Sequence, residues 1–390
     1  MCTDPAPPER RAHGSARASS PRYYMLRAGR CRAACRGPAS LKPSSLTGRM
    51  PALDNLTPLA AADFPSLTRD GVECLVVVAA GSFVLPAPGR PAAGPLRLCD
   101  EQPAPRAADA YWGEPGASSL RYESEAAYTR PMTDVLLHGH AWTAGGRRAT
   151  TASVAVRVGR VEKRALVFGA RVWQRGRAGL SPSSPEPFRS MPLRYEQSFG
   201  GAAVGAYDAR NPVGMGLYAS EREAQGRPLP FIEDPDALIE GWSDRPPPCG
   251  FGPVARSWQP RLGLAGTYDA AWVERRAPLW PADFDERFFQ AAPRRLAASP
   301  HLRGGEPVLL DGVSPDGPIA FSLPVCRVVA KCALGRRRVE RRLMTLDAVY
   351  LEPDERRVSL VYRATFAAHG ELAGHEVTTV RLLEPWENAP

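Results

Sequence analysis

Several features that mark enzymes and membrane proteins are missing from this 390-residue chain. No run of about 18 apolar residues occurs, so we expect no membrane helix. The N-terminus also lacks the apolar core of a secretory signal. Neither a Gly-x-Ser-x-Gly nucleophile elbow nor a phosphate-binding loop is found. The sequence therefore gives no motif for serine hydrolysis or nucleotide binding, and we expect no cofactor.

Cysteine and lysine are sparse or unpatterned. The eight cysteines never form a pair separated by two residues, and Cys74 lies inside an apolar run. We therefore expect no disulfide scaffold and a reducing, cytoplasmic location. Lysine occurs only at Lys42, Lys163 and Lys331, with arginine in its place. This pattern indicates codon bias, which weakens any argument that each arginine was selected for its geometry.

Positive charge is concentrated at the N-terminus. Residues 1–49 hold ten Arg or Lys against Asp4 and Glu9, whereas residues 50–390 are nearly neutral. A nucleic-acid reader carries its basic footprint on the folded part, so we expect no nucleic-acid partner. One local cluster is interpreted as a solvated strand end or loop rather than a phosphate site. It comprises Arg336, Arg337, Arg338, Arg341 and Arg342.

The first 49 residues show no hydrophobic period and are rich in Arg, Ala, Ser and Pro, which predicts a disordered basic tail. Two interpretations are open: translation begins at Met50, or the tail is real and binds acidic surfaces. Residues 50–390 are predicted to form a single large β-rich domain. Its central section, residues 185–306, is predicted to be loop-rich.

Hydrophobic periodicity beyond residue 50 is mostly two, which is typical of β-strands. Strands are predicted at 72–85, 134–141, 151–168 with a turn at Gly159-Arg160, 319–323, 346–351, 357–366 and 377–383. Short helices are predicted at 234–242 with Asp234 as cap, at 268–276 with Thr267 as cap, and at 281–288. We therefore predict a mainly β fold: a layered antiparallel β-sandwich-like scaffold with long ordered loops and a few short helices.

The stretch from Pro185 to His301 combines proline and glycine with four of the eight tryptophans. Disordered segments are poor in aromatics, so this stretch is predicted to be an ordered contact surface. Trp, Tyr and Arg dominate the energetics of protein interfaces. The predicted partner-binding residues are Arg194, Tyr195, Trp242, Arg245, Trp258, Arg261, Tyr268 and Trp272. The alternative is that these tryptophans pack in the core, as is predicted for Trp112, Trp142 and Trp173.

Carboxylates in the same stretch supply the material for a different hypothesis, a hydrolase of cell-wall or carbohydrate substrates. Such an enzyme needs two carboxylates roughly 5–10 Å apart across one bond. The candidate acid/base residues are Glu196, Asp269, Asp283, Asp285 and Glu306, with Glu186 nearby. The competing interpretation is that they brace loops by accepting hydrogen bonds from amides or pairing with arginine.

His138 and His140 are two residues apart on a predicted strand, so both side chains would lie on one face. That spacing fits half of a metal site. The sequence suggests no third ligand nearby, and Gly139 predicts a bulge or strand end. We therefore predict no metal site.

Several ordered motifs make the chain resemble a bacterial family, domain of unknown function 2169, over about residues 55–361. They are Asn55-x-Thr57-Pro58, Asp109-x-Tyr111-Trp112-Gly113-Glu114-Pro115-Gly116, Ser119-Leu120-Arg121-Tyr122-Glu123, Thr133-Asp134-Val135, Phe168-Gly169-x-Arg171-Val172-Trp173, Pro192-Leu193-Arg194-Tyr195-Glu196, Gly266-Thr267-Tyr268-Asp269 and Pro281-x-Asp283-Phe284-Asp285. The chain departs from the family pattern at Ala79-Ala80-Gly81 and at Pro293-Arg294-Arg295.

The resemblance implies a function that the residues alone do not. Members of this family are encoded beside type VI secretion genes and are regarded as adaptors or chaperones that load a toxic effector onto the secreted spike. The chain is thus expected to be a cytoplasmic, non-catalytic adaptor whose partners are an effector and spike components. The resemblance assigns no individual residue to the contact.

Overall fold

A computed structural model describes residues 52–90, 92, 94–177, 179–334, 338–370, 372–384 and 386–387, all within the unit Arg49–Pro390. The predicted tail, Met50, Arg336 and Arg337 lie outside the described residues. The described residues form 25 strands, two short α-helices and seven 3-10 turns. This composition confirms the predicted mainly β fold with few short helices.

The strands in the first half of the chain are β1 (Ala52–Asn55), β2 (Ala60–Leu67), β3 (Glu73–Val84), β4 (Ala110–Tyr111), β5 (Leu120–Tyr122), β6 (Thr133–Leu137), β7 (His140–Trp142), β8 (Thr151–Val158), β9 (Val161–Phe168), β10 (Trp173–Gly176), β11 (Gly179–Pro182) and β12 (Ser190–Pro192). Those in the second half are β13 (Phe199–Gly200), β14 (Ala202–Ala203), β15 (Ala206–Tyr207), β16 (Met215–Gly216), β17 (Ile232–Glu233), β18 (Ala297–Ala298), β19 (Pro307–Asp311), β20 (Ile319–Ser322), β21 (Val328–Leu334), β22 (Arg338–Leu343), β23 (Thr345–Glu352), β24 (Arg357–Ala367) and β25 (His375–Leu382).

The helices are α1 (Glu221–Ala224) and α2 (Ala270–Arg275), and the 3-10 turns lie at Ala144–Gly146, Tyr195–Gln197, Arg261–Ala265, Glu286–Phe289, Arg294–Leu296, Pro353–Glu355 and Leu372–Gly374. No helix among the described residues is long and apolar enough to cross a membrane.

Three sheets make up the scaffold. The largest has six strands in the order β18-β6-β23-β24-β3-β2, the second has five in the order β17-β9-β8-β19-β20, and the third has four in the order β1-β25-β21-β22. Both predicted hairpins are present: β8 pairs with β9 across Gly159-Arg160, and β23 pairs with β24. The remaining strands form short two-stranded pairs within the connecting segments.

The six-stranded sheet is buried on both faces, and β3 shows why. Leu75, Val77 and Ala79 point into the larger core, whereas Val76 and Val78 point into a smaller one. Successive side chains of a strand alternate between faces, so an unbroken apolar run is covered on both sides. The larger core collects side chains from all three large sheets. Most of their strand pairs are antiparallel as predicted, but β6 pairs with β23 and β1 pairs with β25 in parallel.

The loop-rich central section covers the smaller core. Phe284, Phe288 and Phe289 pack there against Tyr128, and the Tyr128 and Phe289 ring centroids are 5.2 Å apart. Edge-to-face aromatic contacts of this kind favour one fixed arrangement of the rings. The aromatic residues of the central section thus help to hold it against the scaffold.

One predicted helix is wrong and another has a different cap. The segment after β17 forms a turn instead of a helix at 234–242, because the Asp234 carboxylate accepts a hydrogen bond from the amide of Asp236 (3.0 Å). α2 is present, but its cap is Asp269, which accepts from the amide of Trp272 at 2.8 Å. Thr267 instead donates its hydroxyl to Asp283 (2.8 Å).

Candidate functional site

Two of the predicted partner-binding residues lie in the interior. Tyr195 and Trp258 are 3% and 5% exposed and pack edge-to-face with ring centroids 5.4 Å apart. Leu120 and Ala255 complete this small cluster. The prediction of one exposed aromatic surface is therefore wrong for these two side chains, which fit the alternative core interpretation.

Arg261 is also buried, and it belongs to an ion cluster centred on Glu123. Its guanidinium donates to the Glu123 carboxylate at 2.7 Å and to the carbonyl of Phe288. Arg256 and Arg130 approach the same carboxylate at 2.7 and 3.6 Å. Burial alone would raise the pKa of Glu123, but the three guanidinium groups hold it below its ordinary range. Arg261 thus fastens the central section to the sequence that follows β5.

A second buried carboxylate, Asp134 at the start of β6, also links the scaffold to the central section. It pairs with Arg130 at 3.0 Å and accepts from the amides of Ala291 and Ala292 and from the side chain of Gln290. A buried carboxylate is stable only when its lone pairs are satisfied, and here four donors do so. The strand end and the 290–292 segment are consequently held in one position.

Three other side chains form a partly exposed stack, which we term the shelf: Trp112, Arg121 and Arg194. The Cζ atoms of Arg121 and Arg194 lie 4.5 and 4.0 Å from the Trp112 ring. Guanidinium groups at this distance are attracted by the electron-rich face of an indole. Of the predicted residues, Arg194 therefore keeps a place at the surface, and its neighbours come from segments more than 70 positions away.

The loop that carries Trp112 is braced from within. The Trp112 amide donates to the carbonyl of Ser119 (3.0 Å), and the Ser118 hydroxyl accepts from Gly113 (2.9 Å). Glu196 then accepts from both the amide and the hydroxyl of Ser119, each at 2.7 Å. Residues 113–117 between these contacts are exposed. The shelf therefore adjoins an exposed loop with fixed ends.

His138 lies beneath the shelf, with its ring centroid 5.7 Å from that of Trp112 and 5.0 Å from that of Tyr122. Its Nδ1 is 3.9 Å from Glu352, too far for a hydrogen bond. Burial lowers the pKa of His138, which favours the neutral ring. The Tyr122 hydroxyl donates to Glu352, and burial together with that carboxylate raises the pKa of Tyr122 to about 12. His138 and Tyr122 are therefore neutral rings that pack around the Glu352 carboxylate, and His138 contacts the shelf at Trp112.

A family model described as an uncharacterized protein conserved in bacteria, domain of unknown function 2169, matches residues 70–363, about three quarters of the chain. The chain belongs to this family. Neither a search of curated proteins nor a search of solved structures returns a significant match.

In this family member, Tyr268 and Trp272 form a second aromatic site, separate from the residues of the shelf. Tyr268 is 51% exposed, Trp272 is half-buried, and their ring centroids are 4.7 Å apart. The Trp272 indole donates to the carbonyl of Leu279, so its edge is engaged while Tyr268 faces solvent. This pair remains a candidate contact.

Trp242 and Arg245 form the remaining predicted pair. Trp242 is half-buried against a core cluster that includes Trp173 and Phe199. Arg245 is exposed, but its guanidinium donates to the carbonyls of Trp242, Asp244 and Tyr218. Arg245 therefore closes a turn over this cluster. Whether any of the eight residues contacts a partner stays a prediction.

All five carboxylates of the hydrolase hypothesis act as acceptors that stabilise loops. Glu196 holds Ser119, and Asp269 caps α2. The other three bind as follows: Asp283 accepts from Thr267, Asp285 accepts from the amide and guanidinium of Arg287, and Glu306 accepts from the amide of Arg303 at 2.8 Å. Hydrogen bonds to the ionised form lower the pKa of Asp283 and Asp285. The contacts match the bracing interpretation of these residues.

The two histidines do not share one environment. β6 ends at Leu137 and β7 begins at His140, so the strand breaks at Gly139 as predicted. His138 is buried, whereas His140 is partly exposed and pairs with Asp354 at 2.7 Å. Within the described residues, no three His, Cys, Asp or Glu side chains form a group that could hold a metal ion.

Sequence reasoning missed two of the three shelf residues. Trp112 was predicted to be a core anchor, and Arg121 was named only within a family motif. One signal was available: Trp112 is followed by Gly-Glu-Pro-Gly, a turn sequence, which places the ring at a loop rather than inside a strand.

Proposed function

We propose that the chain is a non-catalytic adaptor that binds a secreted effector and helps to load it onto the spike of a type VI secretion system. The shelf is the contact we assign to this role. The observation that carries the proposal is a tryptophan ring contacted by two guanidinium groups at the base of an exposed, braced loop. Trp and Arg contribute most to binding energy when they are pre-positioned in this way.

The secretion context comes from the family resemblance, and the physical features of the site agree with a binding role. The shelf is rigid before any partner arrives, because Glu196, Ser118 and Ser119 fix the loop. A pre-organised surface loses less conformational entropy on association. The carboxylates that would have supported a hydrolase are engaged in loop contacts, so no observation favours that alternative.

Co-expression with effector and spike proteins of a type VI secretion system tests the proposal. The wild-type chain should co-purify with at least one of them, and Trp112→Ala or Arg194→Ala should reduce the recovered complex. Arg194→Lys keeps the charge but loses the planar stacking group, so it should also weaken the complex.

Trp386→Ala is the matched control, since Trp386 is 80% exposed and lies outside the shelf. This variant should co-purify like the wild type. If the shelf variants and the control behave alike, or if no effector or spike protein is bound, the assigned role is wrong.

A further inference from the structure

Among the described residues, the four-stranded sheet ends in a strand with one open edge. Within the described residues, β22 has one neighbour in the sheet, β21, and forms its outer edge. Its side chains are mostly exposed, including Val339 at 58% and Leu343 at 40%. A strand edge of this kind presents free N–H and C=O groups on which another extended chain can pair.

The register shows which groups are free. The amide of Met344 donates to the carbonyl of Val328 at 2.8 Å, so these opposite residues form a hydrogen-bonded pair of the antiparallel ladder. Hydrogen-bonded and non-hydrogen-bonded pairs alternate along such a ladder. The backbone groups of Val339, Arg341 and Leu343 therefore point away from β21, toward the open edge.

The edge is cationic. β22 carries Arg338, Arg341 and Arg342 against Glu340. Glu340 is already held between Arg338 and Arg342, on the face opposite to Arg341. Because its three arginines outnumber its single carboxylate, β22 carries a net positive charge.

A shallow groove of about 400 Å³ adjoins the same edge on the Arg341 face. Val329, Lys331, Val339, Arg341, Thr379 and Arg381 line it. Arg381 is paired with Glu387 at 2.6 Å, which also lies 3.6 Å from Arg341. Lys331 forms no ion pair with any described residue and is exposed. The groove therefore offers uncompensated positive charge between apolar positions.

We propose that β22 accepts an extended acidic segment of another protein, which adds a fifth strand to this sheet. On the groove face the added strand places a carboxylate near Arg341 and Lys331, flanked by apolar side chains near Val339 and Leu343. Side chains at every second position of a strand share a face, so acidic and apolar residues alternate along the groove face of the segment, at its positions i, i+2 and i+4. The contact is separate from the shelf and does not depend on the adaptor proposal.

Charge decides against a second copy of the chain as the occupant. Pairing β22 with itself would set the arginines of one edge against those of the other, and like charges facing each other across a ladder are destabilising. Charged edges also protect sheets from unwanted pairing. That protective role predicts no saturable binding of an acidic strand, so the two roles are distinguishable.

The test uses the full chain and a fluorescent peptide matched in length to the eight residues of β25, with the sequence Val-Thr-Glu-Thr-Val-Thr-Glu-Thr, so that valine and glutamate alternate on one face. We expect saturable binding by anisotropy that weakens as salt rises. Hydrogen exchange measured with the peptide present should slow at Val339, Arg341 and Leu343. A peptide with lysine in place of glutamate is the charge control and should not bind.

Two variants at one position separate charge from backbone pairing. Arg341→Ala and Arg341→Pro both lose the guanidinium, but only proline removes the outward N–H, and proline is tolerated where that group faces solvent. Arg341→Pro should bind the peptide about threefold to tenfold more weakly than Arg341→Ala. Lys331→Glu leaves β22 intact and should also weaken binding.

The proposal is overturned if the acidic peptide does not bind saturably, or if the lysine peptide binds as well. Equal affinities of Arg341→Ala and Arg341→Pro would also overturn it. Should Arg341→Pro unfold, as judged by circular dichroism, unchanged peptide binding by Lys331→Glu decides against it. If hydrogen exchange at β22 is slow without peptide and the chain forms a concentration-dependent dimer, the occupant of this edge is a second copy and not an acidic partner.

Discussion

Replacing Glu123 by glutamine removes the carboxylate charge that three arginines approach while nearly preserving side-chain volume. Glu123 is fully buried, and Arg130 and Arg261 are themselves 0% and 4% exposed at the side chain. Arg130 keeps Asp134, and Arg261 keeps the carbonyl of Phe288, but both lose their shared charge partner. Breaking a buried ion pair from one side costs roughly 3–5 kcal/mol, and we expect a loss of free energy of unfolding in that range.

The assay is denaturant unfolding followed by tryptophan fluorescence, with the midpoint and slope both recorded. Glu162→Gln is the matched control, because Glu162 pairs with Arg157 and Arg164 on a solvent-exposed strand face. Exposed ion pairs contribute little, so this variant should unfold like the wild type. If Glu123→Gln loses no more stability than Glu162→Gln, the buried charge cluster does not hold the central section in place.

The stability difference between wild type and Glu123→Gln also depends on pH. Because the folded pKa of Glu123 lies below its ordinary value of 4.5, the carboxylate contributes stability above that value. The contribution should disappear as pH falls through the folded pKa. A difference that does not change on acidification would contradict the assignment to charge.

Three further predictions concern packing and titration. Gly250→Ala should destabilise the fold, because a Cβ there would lie 2.2 Å from the Tyr195 ring. Gly252→Ala should be tolerated, because the nearest atom to a Cβ there is 3.9 Å away in His138. The thermal unfolding midpoints of the two variants test this difference. Trp258→Ala should cost about 3–5 kcal/mol in denaturant unfolding, and an unchanged midpoint would show that Trp258 is not core. Burial lowers the folded pKa of His138, so the unfolded chain binds that proton more readily and the wild type loses stability below pH 6.5. In His138→Gln this loss of stability should be smaller. Identical pH profiles of the two proteins would contradict the prediction.

Some of the long strands could be predicted because their sequences carry a strong periodic signal. β8 and β9 alternate apolar side chains around a Gly-Arg turn, and β23 and β24 flank a short acidic connection. Several strands of the large sheets were missed, including β2, β19, β21 and β22. β2 contains Pro65 and few large apolar residues, and half of β22 is arginine. Edge strands bury little, so their sequences need not alternate.

The candidate site was less accessible to sequence reasoning. Burial could not be read from residue type, so Trp258 and Arg261 were assigned to the surface although tertiary packing covers both. The shelf depends on contacts between Trp112 and Arg194, which are far apart in sequence, and no local pattern reports such a contact. The bracing of loops by Asp283 and Asp285 followed from their Gly, Pro and Arg neighbours.

The most direct test of the account is the affinity of the purified chain for a type VI effector or spike protein, the class of partner that we propose. Hot-spot residues cost at least about 2 kcal/mol when truncated, so Trp112→Ala and Arg194→Ala should each weaken binding more than about tenfold. Their unfolding midpoints should stay well above that of Trp258→Ala, and Trp386→Ala should bind like wild type. Undiminished affinity in both shelf variants would contradict the claim that this stack of Trp112, Arg121 and Arg194 is the contact surface.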